Sequence, residues 1–419
     1  MKRLLLLSTT TGYQAQQFRA AAELMGVPLV LASDSCHAMD DPWGDGAISV
    51  RFQKPQESAA KICELAHHQP IHGVAAIGDA PTRTAALVAR GLRLRFHPPE
   101  AVDAARNKFL ARERFKQAGM RVPWYARFKA ASDPAAAAKA VPYPCVLKPL
   151  GLSASRGVIR ADDREQFAAA FRRVHELLQQ KDVKIMRDES AGWIQVESFI
   201  AGREFALEGL VTNGVLQTLA IFDKPDPLDG PFFEETIYVT PSRLSDVEQR
   251  ALRQCAQQAI TALGLADGPV HAELRLNAEG PWMLEVAARP IGGLCAGALR
   301  FARNGDNLSL EELVLRHALG ESVEGVVREP AASGVMMVPI PQAGFYEGVE
   351  NVEVASQVPG IERVEITAKL RQKLVPLPEG ASYLGFIFAR ADAPSAVEEA
   401  LREAHRRLRF VISPDLPVL

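Results

Sequence analysis

The stretch His271-Ala-Glu-Leu-Arg-Leu-Asn277, Ala278-Glu279-Gly280, Pro281-Trp-Met-Leu-Glu-Val-Ala287 decides how this chain folds. Apolar residues take the even positions on both sides, Leu274 and Leu276, then Trp282, Leu284 and Val286. Alternation with a period of two is the pattern of a half-buried strand. With 278–280 as a three-residue turn, the halves form a hairpin in which opposed residue numbers sum to 558. Glu273 then stands across from Glu285 on the polar face, the side chains about 5 Å apart. Like charges so placed destabilise a sheet, and partial burial adds a desolvation cost to each. A hard divalent cation compensates both, and Mg²⁺ favours one or two carboxylates together with phosphate oxygens. Arg289 follows on the same face, and Gly292-Gly293 offers backbone amides without side chains, an anion nest.

Upstream of the hairpin, Lys148-Pro149 ends an apolar strand and leads into the loop Gly151-Leu-Ser-Ala-Ser-Arg-Gly157. Such a loop, with Ser153, Ser155 and Gly157, exposes amides that wrap phosphate oxygens. It is not a P-loop, because Val158 stands where that motif requires lysine. Lys108 lies beside Asn107 and Arg112 on an amphipathic helix read as continuous from Pro98 to near Gly119, where a solvated basic face is the plain alternative. The run Gln195-Val-Glu197-Ser-Phe199-Ile200-Ala-Gly202-Arg-Glu204 reads as strand, tight turn and strand. Backbone around 198–200 suits an adenine edge, Phe199 and Ile200 give apolar walls, and Glu204 suits ribose hydroxyls.

Farther out, the chain of 419 residues suggests two or three domains, and 47% hydrophobic with 23% charged residues excludes wholesale disorder and fibrous architectures. A net charge of −2 gives no field to recruit nucleic acid or anionic membrane. Five scattered cysteines with no C-x-x-C pair fit a reducing cytoplasm, and the apolar run after Met1 is too short for a signal peptide or a membrane span. Strands at 4–8, 27–32 and 72–77, a turn at Thr10-Thr11-Gly12 and helices at 14–25 and 82–89 predict an open parallel sheet over 1–97. The first turn lacks G-x-G-x-x-G, which disfavours a dehydrogenase. Asn213-Gly214 between two apolar runs signals a hairpin, so 98–328 reads as an α+β domain, with a lid at about 122–200. From 329 to 419 a further α+β module is expected, with strands at 334–340 and 383–389 and a helix at 395–408.

These motifs, in this order, resemble the ATP-grasp superfamily of carboxylate–amine ligases. Glu285-Val-Ala-Ala-Arg289 and the tail from Gly334-Val-Met-Met-Val-Pro339 through Tyr383-Leu-Gly-Phe-Ile387 are similar to L-amino-acid ligases. The resemblance implies an ATP-grasp fold with an N-terminal parallel sheet, an ATP-clasping domain with a small lid, and a C-terminal module. Lys108 and Lys148 would contact ATP phosphates, the 151–157 loop would close over the γ-phosphate, and Glu197 with Glu204 would hold the adenosine. Glu273 and Glu285 would bind one or two Mg²⁺, with Mn²⁺ able to substitute, and Arg289 would steady the acyl-phosphate and tetrahedral intermediate. Ala287 departs from the Asn common two residues after the second metal glutamate, as L-amino-acid ligases also do. His271 is a candidate base by location, with a satisfied strand histidine as the plainer reading. The implied reaction joins an amino acid carboxylate to an amine; a carboxylase-like or purine-pathway ligase and a nucleotide-binding regulator are the alternatives. Residues 223–235 are expected on the acceptor side, a homodimer only by analogy.

Overall fold

Leu4, Leu5, Leu6 and Leu7 are all fully buried in the inner strand of a parallel sheet. The computed structural model describes residues 2–9, 14–34, 47–186 and 188–414. The sheet runs Ala47–Ser49, Leu29–Ser33, Leu4–Ser8, Gly73–Ile77, every neighbouring pair parallel. Such strands are covered on both faces and so appear in sequence as unbroken apolar runs. Helices Gln14–Leu24 and Pro55–His68 lie between strands and Asp79–Leu92 follows the last one; Pro55–His68 and the strand at 47–49 add to the sequence reading. The turn read at Thr10-Thr11-Gly12 lies outside the described residues.

The helix expected to run unbroken from 98 to near 119 is two helices, Pro99–Arg106 and Lys108–Gln117. Asn107 is extended, and its side-chain oxygen accepts from the amides of Phe109 and Leu110, 3.1 Å each. An Asn cap supplies partners to amides that a helix start leaves unsatisfied. The chain therefore restarts there, and Lys108 becomes the first residue of the second helix.

Residues 125–198 form a lid sheet in the order Tyr125–Lys129, Trp193–Ser198, Cys145–Pro149, Ile159–Ala161. The helix Arg164–Leu178 buries Phe167, Phe171 and Val174 against it. The central sheet has eight strands: Gly280–Ala287, Gly268–Asn277, Arg203–Thr212, Val215–Asp223, Ile237–Thr240, Ala332–Val338, Gly385–Ala391 and Ile361–Ile366. Asn213 (φ 50°) and Gly214 (φ 80°) make the two-residue turn of the expected hairpin, both in the left-handed region such turns need. Ile237–Thr240 pairs with Ala332–Val338, so the sheet passes through the boundary read at 328. Only the small sheet Lys373–Leu374, Gly344–Glu350, Arg409–Ser413 belongs to the terminal segment alone. Leu5 and Leu7 share one apolar core with Leu207, Val270 and Val286, joining the opening sheet to the central one.

His97 fastens the linker before Pro98 to the central sheet. Its Nε2–H donates to the Pro269 carbonyl at 3.1 Å, and the ring is 1% exposed. Gly268, at φ +131°, makes room: an added Cβ would lie 3.1 Å from the ring. Burial pushes the imidazole pKa down to about 4, against the bond to Pro269 and the charge of Asp267. The unfolded chain binds that proton near pH 6.5, so this group's stabilisation is complete above about 6.5 and is lost as pH falls toward 4. Urea unfolding at several pH values is expected to show His97→Gln losing stability less steeply across that window than the parent, by at most about 1.4 kcal/mol per pH unit. Equal slopes would remove His97 as a source of acid sensitivity.

Candidate active site

Residues 271–273 pair with 287–285 in the expected register, the numbers summing to 558. From Leu274 onward the sum is 557, with Leu274 facing Met283 and Asn277 facing Gly280. The turn is thus two residues, Ala278-Glu279, and not the three read from sequence; a β-bulge at Leu284 absorbs the difference. Glu273 still opposes Glu285. The carbonyls of Met283 and Leu284, at the bulge, accept from Arg112 Nη1 and Nη2, 3.0 Å each.

Arg112 uses the rest of its fork on Glu197, Nε to Oε1 at 2.6 Å and Nη2 to Oε2 at 3.2 Å. Lys148 Nζ donates to Glu197 Oε2 and Gln195 Nε2 to Oε1, both at 2.6 Å. Burial would raise the Glu197 pKa, but Arg112 and Lys148 outweigh it and hold the carboxyl well below the usual range. This corrects the expected adenosine role of Glu197: both oxygens are spent on protein cations, and the residue orients Lys148. Glu204 accepts from Lys224 Nζ and Arg275 Nε at 2.9 Å, one donor on each oxygen, and lines the cleft. Phe199 and Ile200 also line the cleft. The Phe199 carbonyl and the Ile200 amide have no intramolecular hydrogen bond among the described residues, an acceptor and a donor suited to an adenine edge.

Behind Glu273 lies a charge cluster only partly legible in sequence. Lys224, 7% exposed, sits among Glu204, Glu235 and Glu273, 3.5 Å from the last. Burial disfavours its charge, but the three carboxylates raise its pKa well above the usual lysine value. Burial, then Glu273, push the Glu235 carboxyl up to about 7, against the pull of Lys224. His271 lies between Glu208 Oε2 (Nδ1, 3.1 Å) and Glu273 Oε1 (Nε2, 3.6 Å). Burial opposes its charge, yet the bonds to Glu208 and Glu273 prevail and push it up to about 9. Two carboxylates that favour the imidazolium weigh against His271 as the base. Glu208, fully buried and also accepting from the Ile291 amide, was not found by the sequence reading; its only signal is its place in an apolar strand.

Lys108 Nζ lies 3.3 Å from Glu285 and donates to the Leu152 carbonyl at 2.8 Å, so it links the hairpin to the glycine loop. Arg289 forms a two-point pair with Asp79, at 2.8 and 3.2 Å, across 210 positions of sequence. Gly292 and Gly293 line the cleft; Gly293 is left-handed (φ +62°), and a Cβ there would lie 2.9 Å from the Phe386 ring. In the loop, Ala154 (φ 56°) and Ser155 (φ 54°) are also left-handed, and Ser153 and Ser155 face the cleft. Gly157 does not line it, and its amide donates to the Pro378 carbonyl at 2.8 Å, which corrects its expected phosphate role. Arg156 Nε donates to the Glu379 carbonyl at 2.7 Å, and the Glu379 carboxylate pairs with Arg173. A segment of the C-terminal region therefore straps the lid.

Lys108, Lys148, Glu204, Glu273, Glu285 and Arg289 surround one cleft of about 610 Å³, which Arg112, Gln195, Glu208 and Lys224 do not line. Glu273 and Glu285 keep 26% and 34% of their side chains exposed toward it. Two facing carboxylates with no sulfur or neutral imidazole among them form a donor set that fits Mg²⁺ or Mn²⁺. No helix among the described residues is long and apolar enough to cross a membrane.

A lid sheet over two lysines, closing on a central hairpin with paired glutamates, is an architecture that clasps a nucleotide. Residues 141–298 match the ATP-grasp domain and residues 336–413 match the L-amino acid ligase C-terminal domain 2. The crystal structure of L-amino acid ligase from Bacillus licheniformis superposes with a TM-score of 0.80 at 26% identity, over 99% of each chain. Alanine–anticapsin ligase of Bacillus subtilis is 30% identical over 216 residues, 48% of this chain and 44% of that protein. An uncharacterized protein of Sinorhizobium fredii, y4rH, is 24% identical over 99% of this chain and 84% of its own length. The chain spans about half the length of the alanine–anticapsin ligases it matches.

Removing one partner of a buried, paired charge costs about 3–5 kcal/mol. Glu197→Ala is therefore expected to lower stability by that order in urea unfolding without nucleotide, whereas a residue serving only adenosine would leave it unchanged. The strap pair Arg173–Glu379 is partly exposed and worth about 0–1 kcal/mol. Glu379→Ala is expected to speed proteolysis within 151–157 and to weaken ATP binding by at most about fivefold in calorimetry. Unchanged cleavage rates would show that the strap does not restrain the lid.

Proposed function

We propose that this protein activates the carboxylate of one amino acid as an acyl-phosphate and joins it to the amine of a second, releasing ADP and phosphate. The carrying observation is the facing pair Glu273 and Glu285 with Lys108, Lys148 and Arg289 around one cleft. The L-amino acid ligase domain at 336–413 and the ligases among its relatives support amino acids as substrates. The same matches weigh against a carboxylase-like or purine-pathway enzyme and against a regulator without turnover.

In the first step a carboxylate oxygen attacks the γ-phosphorus of ATP, and the bond to the β,γ-bridging oxygen breaks. In the second the amine attacks the carbonyl carbon, phosphate leaves, and the ammonium protons pass to solvent or phosphate. Little covalent chemistry falls to the protein, so positioning and charge dominate. Lys148, oriented by Glu197, and Lys108, at a helix start, neutralise the phosphates. Glu273 and Glu285 would hold Mg²⁺, which supplies charge neutralisation on the nucleotide oxygens. Arg289 offers N–H groups where negative charge develops on the carbonyl oxygen and departing phosphate.

Phosphate release from a matrix of amino-acid pairs with Mg²⁺-ATP tests the reading. One or more pairs are expected to give ADP, phosphate and an amide product in equal amounts, and Arg289→Met to lower kcat by about 10²–10³-fold. No phosphate above background for any pair would overturn it. Bicarbonate-dependent release without amino acid would point to carboxylation, and ATP binding without ADP formation to a regulator.

A further inference from the structure

Two residues on helices of the opening domain grip the segment that follows the glutamate hairpin. Asp79 follows the carboxyl end of Gly73–Ile77 and is the first residue of the helix Asp79–Leu92, where the helix dipole favours an anion. Gly78 before it has φ +77°, a conformation that turns the chain sharply into that helix. Gln14, 8% exposed at the start of the first helix, donates Nε2–H to the Ile291 carbonyl at 2.8 Å, two residues beyond Arg289. Both contacts cross from one sheet to the other.

The donors of Arg289 can be counted. A guanidinium has five N–H groups. Nε–H and one Nη2–H go to the Asp79 carboxylate, and one Nη1–H goes to the Pro290 carbonyl at 3.1 Å. One N–H is left on each terminal nitrogen. Among the described residues no further acceptor takes them. Such a pair matches two oxygens of a phosphate or an oxyanion beside one, and its direction is set once the side edge of the fork is clamped.

We propose that Asp79 is a positioning residue for the ligation reaction, clamping the side edge of Arg289 so that the tip of its guanidinium faces the reacting acyl-phosphate. The inference rests on the ligase reading for its consequence, but the clamp itself is a property of the chain. Burial works against an ionised Asp79, while Arg289, then Arg106 and Lys108, keep it charged with its pKa below the usual value. The opening sheet thereby contributes to the chemistry without touching substrate. A misplacement of order 1 Å at a reacting group costs up to about 10²-fold in rate. Loss of the clamp should therefore appear in kcat while nucleotide binding, which other groups carry, stays in place.

The test compares Asp79→Asn, Asp79→Glu and Arg289→Lys, alone and with Asp79→Asn combined with Arg289→Lys. Asp79→Asn is expected to lower kcat for phosphate release by about 10- to 100-fold, with KM for ATP near that of the parent. Asp79→Glu should restore part of that loss, and Asp79→Asn should add less than about twofold in the Arg289→Lys background. Full additivity in the double variant, or a rise in KM with kcat intact, would overturn the proposal. A parallel measurement needs no turnover: the Arg289 Nε–H resonance should be slow to exchange in the parent and Asp79→Glu and fast in Asp79→Asn. Equal exchange in all three also overturns the clamp, whereas absence of turnover in the parent with the exchange difference present counts against the ligase reading alone.

Discussion

One buried carboxylate, Glu197, holds the site together. It is 2% exposed and shared by Arg112, Lys148 and Gln195, which come from the linker helix and two strands of the lid sheet. Arg112 in turn satisfies the two carbonyls at the hairpin bulge. The lid, the linker and the hairpin of paired glutamates are thus fixed relative to one another by a single charge network. An unpaired buried carboxylate or guanidinium is far costlier than an unpaired surface one, so the network resists partial disruption. Arg serves here because its planar fork meets a carboxylate and two carbonyls at once, which a lysine cannot do.

The bulge gives that network its geometry. Without Leu284 as an extra residue, a two-residue turn would slide Glu285 past Glu273 by one position, and a slip of one residue sends a side chain to the other face. Turn length and bulge act in opposite directions, and their sum places the carboxylates opposite each other. Each is then balanced from behind: Glu285 by Lys108, Glu273 by Lys224 and protonated His271. A near-neutral chain conceals this arrangement because every local charge has a local partner.

Alternation across 271–287 made the hairpin and its facing glutamates legible, and continuous apolar runs revealed the opening sheet. What sequence concealed has physical causes. The bulge leaves no mark in a pattern of period two, since Leu284 is apolar where an apolar residue is expected. The break at Asn107 did carry a signal, an N-cap residue before Lys108, but the amphipathic pattern on both sides outweighed it. Glu197 reads as a ligand contact because acids bracketing an apolar pair suit a nucleoside equally well; only the three-dimensional approach of Arg112, Lys148 and Gln195 reveals that its oxygens are occupied. Asp79 lies 210 positions from Arg289, and no local spacing reports such a pair.

Distance along the chain also explains why the parts cannot be separated cleanly. Asp79 and Gln14 reach the cleft from the opening sheet, the strap at Pro378 and Glu379 reaches the lid from the C-terminal region, and Tyr383 lines the cleft itself. The central sheet runs on into strands at 332–338 and 385–391. The stretch that contacts the lid thus leads within a few residues to Tyr383 on the cleft wall, so the restraint on the lid and part of the cleft lining are carried by one piece of chain. That stretch runs from Lys373–Leu374 in the small terminal sheet to Gly385–Ala391 in the central sheet that carries the glutamate hairpin, so restraint on the lid is anchored in both.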